Sequence, residues 1–302
     1  MTPRVIVVAK RTAYSRFVEE ERDPRAKQLI KRKDPSVASW LEGHREHQKT
    51  LEVVEQVLDR LGVHVAWVRR AHAMFDASDA ALVIAVGGDG TLLAASHNVE
   101  SVPLLGVNSA PRHSVGFFCA ATRETFAELV KRALDGRLAS LRLTRMKVSV
   151  NGRVRSRRVL NEALYAHSSP AATSRYVLEF RGRSEEQRSS GIWIGPAAGS
   201  TAAQRSAGGR VLPLSAKDLQ LVVREPYNPA GKRYRLQRLL VPPSERVVVR
   251  SNMDDAMLWF DGPHRHVPVR LGDVIEFTAS NEPLHVLGLR SRRNGRAGSK
   301  RS

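Results

Sequence analysis

The chain of 302 residues has one cysteine, Cys119, few aromatics and no long apolar run. A lone thiol excludes an internal disulfide and a cysteine-cluster zinc site. No apolar stretch approaches the ~20 residues that cross a bilayer as a helix. The N-terminus passes almost directly from Met1 into the apolar run Val5 to Ala9. It lacks the longer apolar segment and cleavage site of a secretory signal, and it is too short for a transit peptide. These absences lead to the expectation of a cytoplasmic protein with no membrane partner. Acids are also scarce: 30 Asp and Glu stand against 49 Lys and Arg, a formal net charge of +19. Such an excess can mark a nucleic-acid partner. Arginine is spread along the whole chain, however, and only 6% of residues are aromatic. The composition therefore argues against nucleic acid, and an anionic small-molecule substrate accounts for part of the charge. The one concentrated basic run, Arg290 to Arg301, is expected to be a disordered tail.

What the sequence does contain is organised around one stretch. Six apolar residues, Ala81 to Val86, run without a polar break, as in a strand buried on both faces of a parallel sheet. Gly87, Gly88, Asp89, Gly90 and Thr91 follow at once, and Leu92 to Ser96 reads as the start of a helix. A carboxylate thus stands in a tight glycine turn where a buried strand ends. Open α/β sheets place their ligands there. Glycine lets backbone N–H groups approach phosphate oxygens, and a helix N-terminus adds partial positive charge. An aspartate among phosphates would hold a metal or take a proton; the alternative is an aspartate that only caps the helix.

Further strands are expected over residues 5–9, 63–68 and 102–107. Helices are expected over 40–61, closed by Gly62, over 91–98, and over 125–134, capped by Thr122 and closed by Gly136. Residues 16–34 form a long charged excursion, and His44 and His47 are assigned to the wet side of the 40–61 helix. Alternating strands and helices call for a parallel sheet. After Leu138 the texture becomes short β-like segments, over 140–150, 153–160, 176–180, 192–194, 211–214, 219–223, 246–249, 258–260 and 274–277. The expected architecture is a Rossmann-like parallel α/β domain over residues 1–138, a mostly β, sandwich-like domain over 139–289, and the tail over 290–302.

Three other clusters could carry chemistry. Asn108 follows the fourth strand, with Gly116, Phe117 and Phe118 close behind, at the same carboxyl edge as Asp89. Asn161 and Glu162 stand at a strand end; their amide and carboxylate suit ribose hydroxyls or an adenine amino group. Residues 195–209 are dominated by small side chains around Ser200 and Thr201, ready to hold a phosphate or ribose through N–H and hydroxyl groups.

These residues together resemble the NAD kinases. The 87–91 turn looks like that family's glycine-aspartate motif, Asn161-Glu162 its Asn-Glu motif, and 199–209 its Gly-Ser-Thr-Ala to Ser-Ala-Gly-Gly stretch. Phe260-Asp261-Gly262 with residues 270–274 resembles its late Asp-Gly strand and turn. The glycine-aspartate turn alone is shared with phosphofructokinases and lipid kinases; the ordered set is more specific. Val7 to Thr12 with Tyr14, His44-Arg-Glu-His47, residues 106–116 and Ser189-Ser190-Gly191 resemble the mitochondrial-type members and their bacterial relatives. The resemblance implies transfer of the γ-phosphate of ATP–Mg²⁺ to the 2′-hydroxyl of the adenosine ribose of NAD, giving NADP. It implies Asp89 as base, phosphate contacts from Gly87, Gly88, Gly90 and Thr91, and NAD contacts from Asn161, Glu162, Gly199, Ser200, Thr201, Ala202 and Ser206. Asn108 and Phe117 are weaker candidates near the adenine. Ser190 stands where most members carry an aspartate, and Ala198 and Ala203 replace a threonine and an aromatic, so the NAD-facing loop is altered. No dedicated metal cage is visible, so Mg²⁺ is expected to arrive with ATP. A homodimer or higher homo-oligomer is implied by resemblance. The alternatives are a lipid kinase of the same superfamily and a non-catalytic NAD(P)-binding sensor.

Overall fold

The structure is a computed structural model that describes residues 2–228 and 234–289. The expected tail, 290–302, lies outside the described residues. The chain divides into two units, one running to Leu141 and completed by Leu284–Leu289, the other spanning Arg142–Pro283.

The first unit is a parallel α/β layer. Its elements are β1 (Arg4–Ala9), α1 (Pro24–Lys31), α2 (Trp40–Arg60), β2 (His64–Val68), β3 (Leu82–Gly87), α3 (Asp89–Ser96), β4 (Leu104–Asn108), the short β5 (Ala121–Thr122) and α4 (Phe126–Leu134). The chain leaves it through β6 (Ser140–Leu143). The continuous apolar run of β3 is buried along its whole length, as a strand covered on both faces must be. Asp23 starts α1: its carboxylate accepts the N–H groups of Arg25 and Ala26, with Pro24 at the first helical position. Gly62 stops α2 with φ +64°, the left-handed conformation glycine adopts at no steric cost. The strand order is β2-β1-β3-β4, extended by β19 (Leu284–Leu287) and β6. The pairs β1 with β2, β1 with β3, β3 with β4 and β4 with β19 are all parallel. Val5, Val7, Leu82, Ile84, Leu105 and Val107 pack under Val54 and Leu58 of α2 and Phe126 and Val130 of α4.

Several expectations change. The last strand, β19, returns to the first sheet, because Leu284, Val286 and Leu287 bury there. The single break after Leu138 therefore becomes two crossings. Thr122 does not cap α4; it lies in β5, and Thr125 holds the cap position, its hydroxyl accepting the Thr122 N–H. His44 and His47 are not on a wet face: they are 8% and 2% exposed.

The second unit is a β-sandwich. One antiparallel sheet runs β11-β10-β15-β18-β7-β8 and the other β14-β13-β12-β9-β16-β17. The strands are β7 (Met146–Val150), β8 (Arg153–Val159), β9 (Ala163–His167), β10 (Ser174–Phe180), β11 (Arg183–Ser189), β12 (Ile192–Pro196), β13 (Leu219–Val223), β14 (Arg238–Val241), β15 (Arg246–Ser251), β16 (Ala256–Phe260), β17 (His266–Val269) and β18 (Val274–Ala279). A four-residue helix, α5 (Ala203–Ser206), interrupts them. Alternate residues of each sheet, among them Tyr165, Tyr176, Ile194, Leu221, Leu258 and Phe277, form one shared core. Residues 211–214, expected as a strand, are a loop, tied by the Leu212 N–H to the Ser200 hydroxyl.

Candidate active site

In the first sheet the chain moves from β1 to β2 on one side and to β3 and β4 on the other. The carboxyl ends of β1 and β3 therefore flank the topological switch point, the place where an open sheet leaves a crevice. A cavity of about 650 Å³ opens there. Lys10 and Arg11 enter it after β1, Arg70 to His72 after β2, Gly88 to Thr91 after β3, and His113 to Val115 after β4. Cationic side chains, two imidazoles and the N-terminus of α3 thus line one concavity, an arrangement that favours a polyanion. Burial holds the Lys10 ammonium below its ordinary pKa, and the Glu46 carboxylate partly offsets this.

The turn's glycines have distinct reasons to exist. A Cβ on Gly87 would fall 2.1 Å from the Thr91 hydroxyl, and one on Gly88 would fall 2.3 Å from that of Ser114. A Cβ on Gly90 would meet nothing within 4 Å and would project into free space. Asp89 is the first residue of α3 and makes no capping bond to its own helix. Instead its carboxylate accepts the N–H groups of Phe117 at 2.9 Å and Phe118 at 2.7 Å. One bond falls on each oxygen, so a lone pair on each stays available to a proton donor. The Asp89 charge, after burial, raises the neighbouring Cys119 thiol to about 12, which keeps it protonated. Asn108 is buried and serves its own loop: its amide donates to the Ser114 carbonyl and accepts from Ala110 N–H.

The second unit assembles its own cluster. The Asp261 carboxylate accepts the backbone N–H groups of Leu160, Asn161 and Glu162 at 2.7–3.1 Å, and Asp261 N–H returns a bond to the Glu162 carbonyl. Asp261 itself sits at φ +50°, a conformation Asp and Asn tolerate better than other side chains. The small-residue stretch packs against this turn. A Cβ on Gly195 or Gly199 would lie 2.1 or 1.8 Å from the Asn161 carbonyl oxygen, and the Gln204 amide donates to the same oxygen. Asn161 Oδ1 and Glu162 Oε2 are left buried without a hydrogen-bond partner. Burial, then the Asp261 charge, pushes the Glu162 carboxyl up to about 8. A neutral acid and an amide oxygen lacking partners are what a polar neutral group such as a ribose hydroxyl or an amine would satisfy.

The structure brings Asn161, Glu162 and Gly199 together, with Thr201 and Ala202 following in the same stretch. It spends the Ser200 hydroxyl internally, donating to the Ala197 carbonyl and accepting from Leu212 N–H. Ser206 ends α5 and is exposed. Ser190 lies at the opposite end of β12, beside a separate cavity of about 270 Å³ with Arg224 and Trp259. Sequence reasoning gave no roles to Lys10, Arg11, Arg70, His72, His113 and Asp261. For the first five the signal was available: each follows a strand at the carboxyl edge already singled out. Among the described residues no helix is long and apolar enough to cross a membrane.

The comparisons with known proteins fit this geometry. Residues 6–138 match the family model described as the ATP-NAD kinase N-terminal domain. A "Probable NADH kinase" of Oryza sativa subsp. japonica is 35% identical over 277 residues, covering 84% of this chain and 85% of that protein. "NAD kinase 2, mitochondrial" of Homo sapiens is 34% identical over 162 residues, 49% of this chain and 36% of that protein. The fold matches the crystal structure of an NAD kinase from Archaeoglobus fulgidus in complex with ATP, with a TM-score of 0.66 at 21% identity, covering 96% and 94% of the two chains. With the glycine-aspartate turn at the switch point and a relative matched over most of its length, the chain belongs to the NAD kinase family of phosphotransferases.

Proposed function

We propose that the chain transfers the γ-phosphoryl group of ATP–Mg²⁺ to the 2′-hydroxyl of the adenosine ribose of NAD, giving NADP. The observation that carries this reading is the cavity at the switch point, which Asp89 lines together with a glycine turn, a helix N-terminus, Lys10, Arg11 and Arg70. Phosphoryl transfer asks a protein for positioning, neutralisation of phosphate charge and a group to accept the hydroxyl proton. Gly88 and Gly90 offer backbone N–H groups to phosphate, Thr91 lines the same cavity with its own N–H donated to the Gly88 carbonyl, and the basic side chains neutralise the phosphate charge. Asp89, held by two amides, takes the 2′-hydroxyl proton. The ribose oxygen bonds to the γ-phosphorus, the bond from that phosphorus to the β–γ bridging oxygen breaks, and ADP leaves. Asn161 and Glu162, with their partnerless buried oxygens, hold the acceptor's adenosine. The ATP named with the Archaeoglobus structure supports the donor. The name of the rice relative makes NADH an acceptor to be tested beside NAD.

The test is to incubate the purified chain with ATP, Mg²⁺ and NAD or NADH and assay NADP(H). Formation of either product supports the reading. Phosphorylation of diacylglycerol or a sphingoid base instead would replace it with a lipid kinase. Nucleotide binding without turnover would replace it with a sensor.

A further inference from the structure

A polar stripe crosses the inner face of α2. His44, His47 and Thr50 recur at i, i+3 and i+6, and none is more than 8% exposed. Each reaches a different point on the loops at the carboxyl edge of the sheet. His44 Nδ1 lies 2.8 Å from the Thr12 hydroxyl, and its ring rests on that of Tyr14, centroids 4.9 Å apart. The His47 ring hydrogen-bonds the main chain of Lys10. Thr50 donates to the Ser109 carbonyl, and Ser109 N–H is in turn bonded to Gly87 carbonyl. The loops held this way supply Lys10, Arg11 and residues 113–115 to the cavity, while none of the three stripe residues lines it.

His47 is the informative member. Burial, then the charges of Lys10 and His44, lowers its pKa to about 4, so its ring is neutral and has one N–H. That N–H is spent on Lys10, and Nδ1 is buried without a partner. A leucine would fill the space with no orphaned nitrogen. What the imidazole adds over leucine is the tie to Lys10. Lys10 is also fixed from its other side, its N–H donating to the Val86 carbonyl.

We propose that His47, with His44 as a second tie, is a positioning residue for the donor phosphates: it fixes the Lys10 main chain so that the ammonium group stands in the cavity. This rests on reading that cavity as the ATP phosphate site.

The full chain and its variants are compared by calorimetric Mg–ATP affinity and by steady-state kinetics against ATP and NAD. His47→Leu raises Kd and KM for ATP about tenfold, the loss of one buried hydrogen bond, and leaves KM for NAD within about twofold. His47→Gln, whose amide can donate to the Lys10 main chain, recovers most of the loss. In a Lys10→Met background, His47→Leu changes ATP affinity by less than about twofold, because the group it positions is gone. Thr12→Val, which removes the His44 contact together with the bonds of the Thr12 hydroxyl to Ser15, raises KM for ATP about threefold and, with Ser15→Ala as the control that leaves the His44 contact in place, decides the matter if His47→Leu does not fold. Unchanged ATP affinity, equal rises in both KM values, or full additivity with Lys10→Met overturns the proposal. If the wild-type chain binds ATP but forms no NADP(H), the kinase reading fails, and the affinity comparison still decides the role of His47.

Discussion

The two glycine-bearing clusters use the same residue type for opposite purposes. At residues 87–91 the turn follows a parallel strand and opens a helix, and basic side chains gather around free space at Gly90. At 195–199 the glycines face inward: they exist so that their own backbone can lie against the Asn161 carbonyl. The first cluster is built for charge. The second is built around buried, neutral polar atoms, a Glu162 acid pushed up to about 8 and an amide oxygen without a partner. The contrast teaches that a glycine-rich motif locates a tight approach without saying whether a ligand or the protein itself makes it. The surroundings decide: cations and a helix N-terminus in one case, a neighbouring carbonyl in the other.

The sharpest way to break this comparison is to neutralise the carboxylate of the charged cluster. Asp89→Asn should lower kcat about 10²- to 10⁴-fold, the range for losing a general base, with NAD affinity unchanged. Asparagine also places an NH₂ against Phe117 or Phe118 N–H, where both oxygens now accept. A thermal melt must therefore accompany the kinetics. Turnover within tenfold of wild type in a normally folded variant refutes the base assignment.

The next effect separates the glycines. Gly199→Ala drives a methyl into the Asn161 carbonyl oxygen, backbone against backbone, which no rotamer relieves. It should cost about 1–3 kcal/mol or more, as overpacking does. Gly90→Ala meets no protein atom within 4 Å and gains about 0.5–1 kcal/mol of helix preference over glycine. Its melting temperature should hold or rise, while KM for ATP increases because the methyl projects into the proposed phosphate site. If Gly199→Ala melts like wild type, or Gly90→Ala leaves ATP untouched, the two clusters are not the opposites described.

How much of this was legible follows from the range of the forces involved. The strand of residues 82–87, the turn after it and helix α2 were readable because continuous apolar runs, glycine and 3.6-residue spacing are local signals. The burial of His44 and His47 was not, since polar residues on a helix read as wet until loops from β1 come to meet them. Gly195 and Gly199 looked like a phosphate loop because the carbonyl they accommodate is remote in sequence. Strand β11 was missed for a different reason: its sequence, Arg-Ser-Glu-Glu-Gln-Arg-Ser, is mostly exposed at a sheet edge. A signal existed at Arg181-Gly182, both at positive φ, the turn that suits a two-residue hairpin. The return of β19 to the first sheet is a choice between two apolar cores, and one strand's pattern cannot make it.

A smaller effect tests the neutral character of the second cluster. The ordinary pKa of Glu162, 4.5, is raised to about 8 in the fold by burial and by Asp261. The fold thus favours the protonated form. That contribution is whole below about 4.5 and is lost progressively as pH climbs from there to about 8. Across that window wild-type stability should fall by about 1.4 kcal/mol per pH unit, and above about 8, where both states are ionised, the dependence levels off. Glu162→Gln, neutral throughout, should flatten the slope between about pH 5 and 8 in calorimetric melts. An unchanged slope would mean that Glu162 is ionised in the folded chain, and the two clusters would then differ less in charge than in shape.

The smallest expected effect asks how far the proposed acceptor site extends along β12. Gly195 is the penultimate residue of that strand, against Asn161, whereas Ser190 precedes its first residue and faces the separate cavity beside Arg224. Ser190 N–H is already bonded to the Arg224 carbonyl, and Ser190→Asp would set a half-exposed carboxylate in the cavity that Arg224, its guanidinium 5.5 Å from the Trp193 ring centroid, also lines. Pairs of that kind are worth about 0–1 kcal/mol, which bounds the change in KM for NAD at about fivefold and leaves kcat alone. A larger shift would show that binding energy is spread over both ends of the strand. The orphaned oxygens at Asn161 and Glu162 would then be one half of the acceptor site, and the contrast with the compact phosphate turn would be one of extent as well as charge.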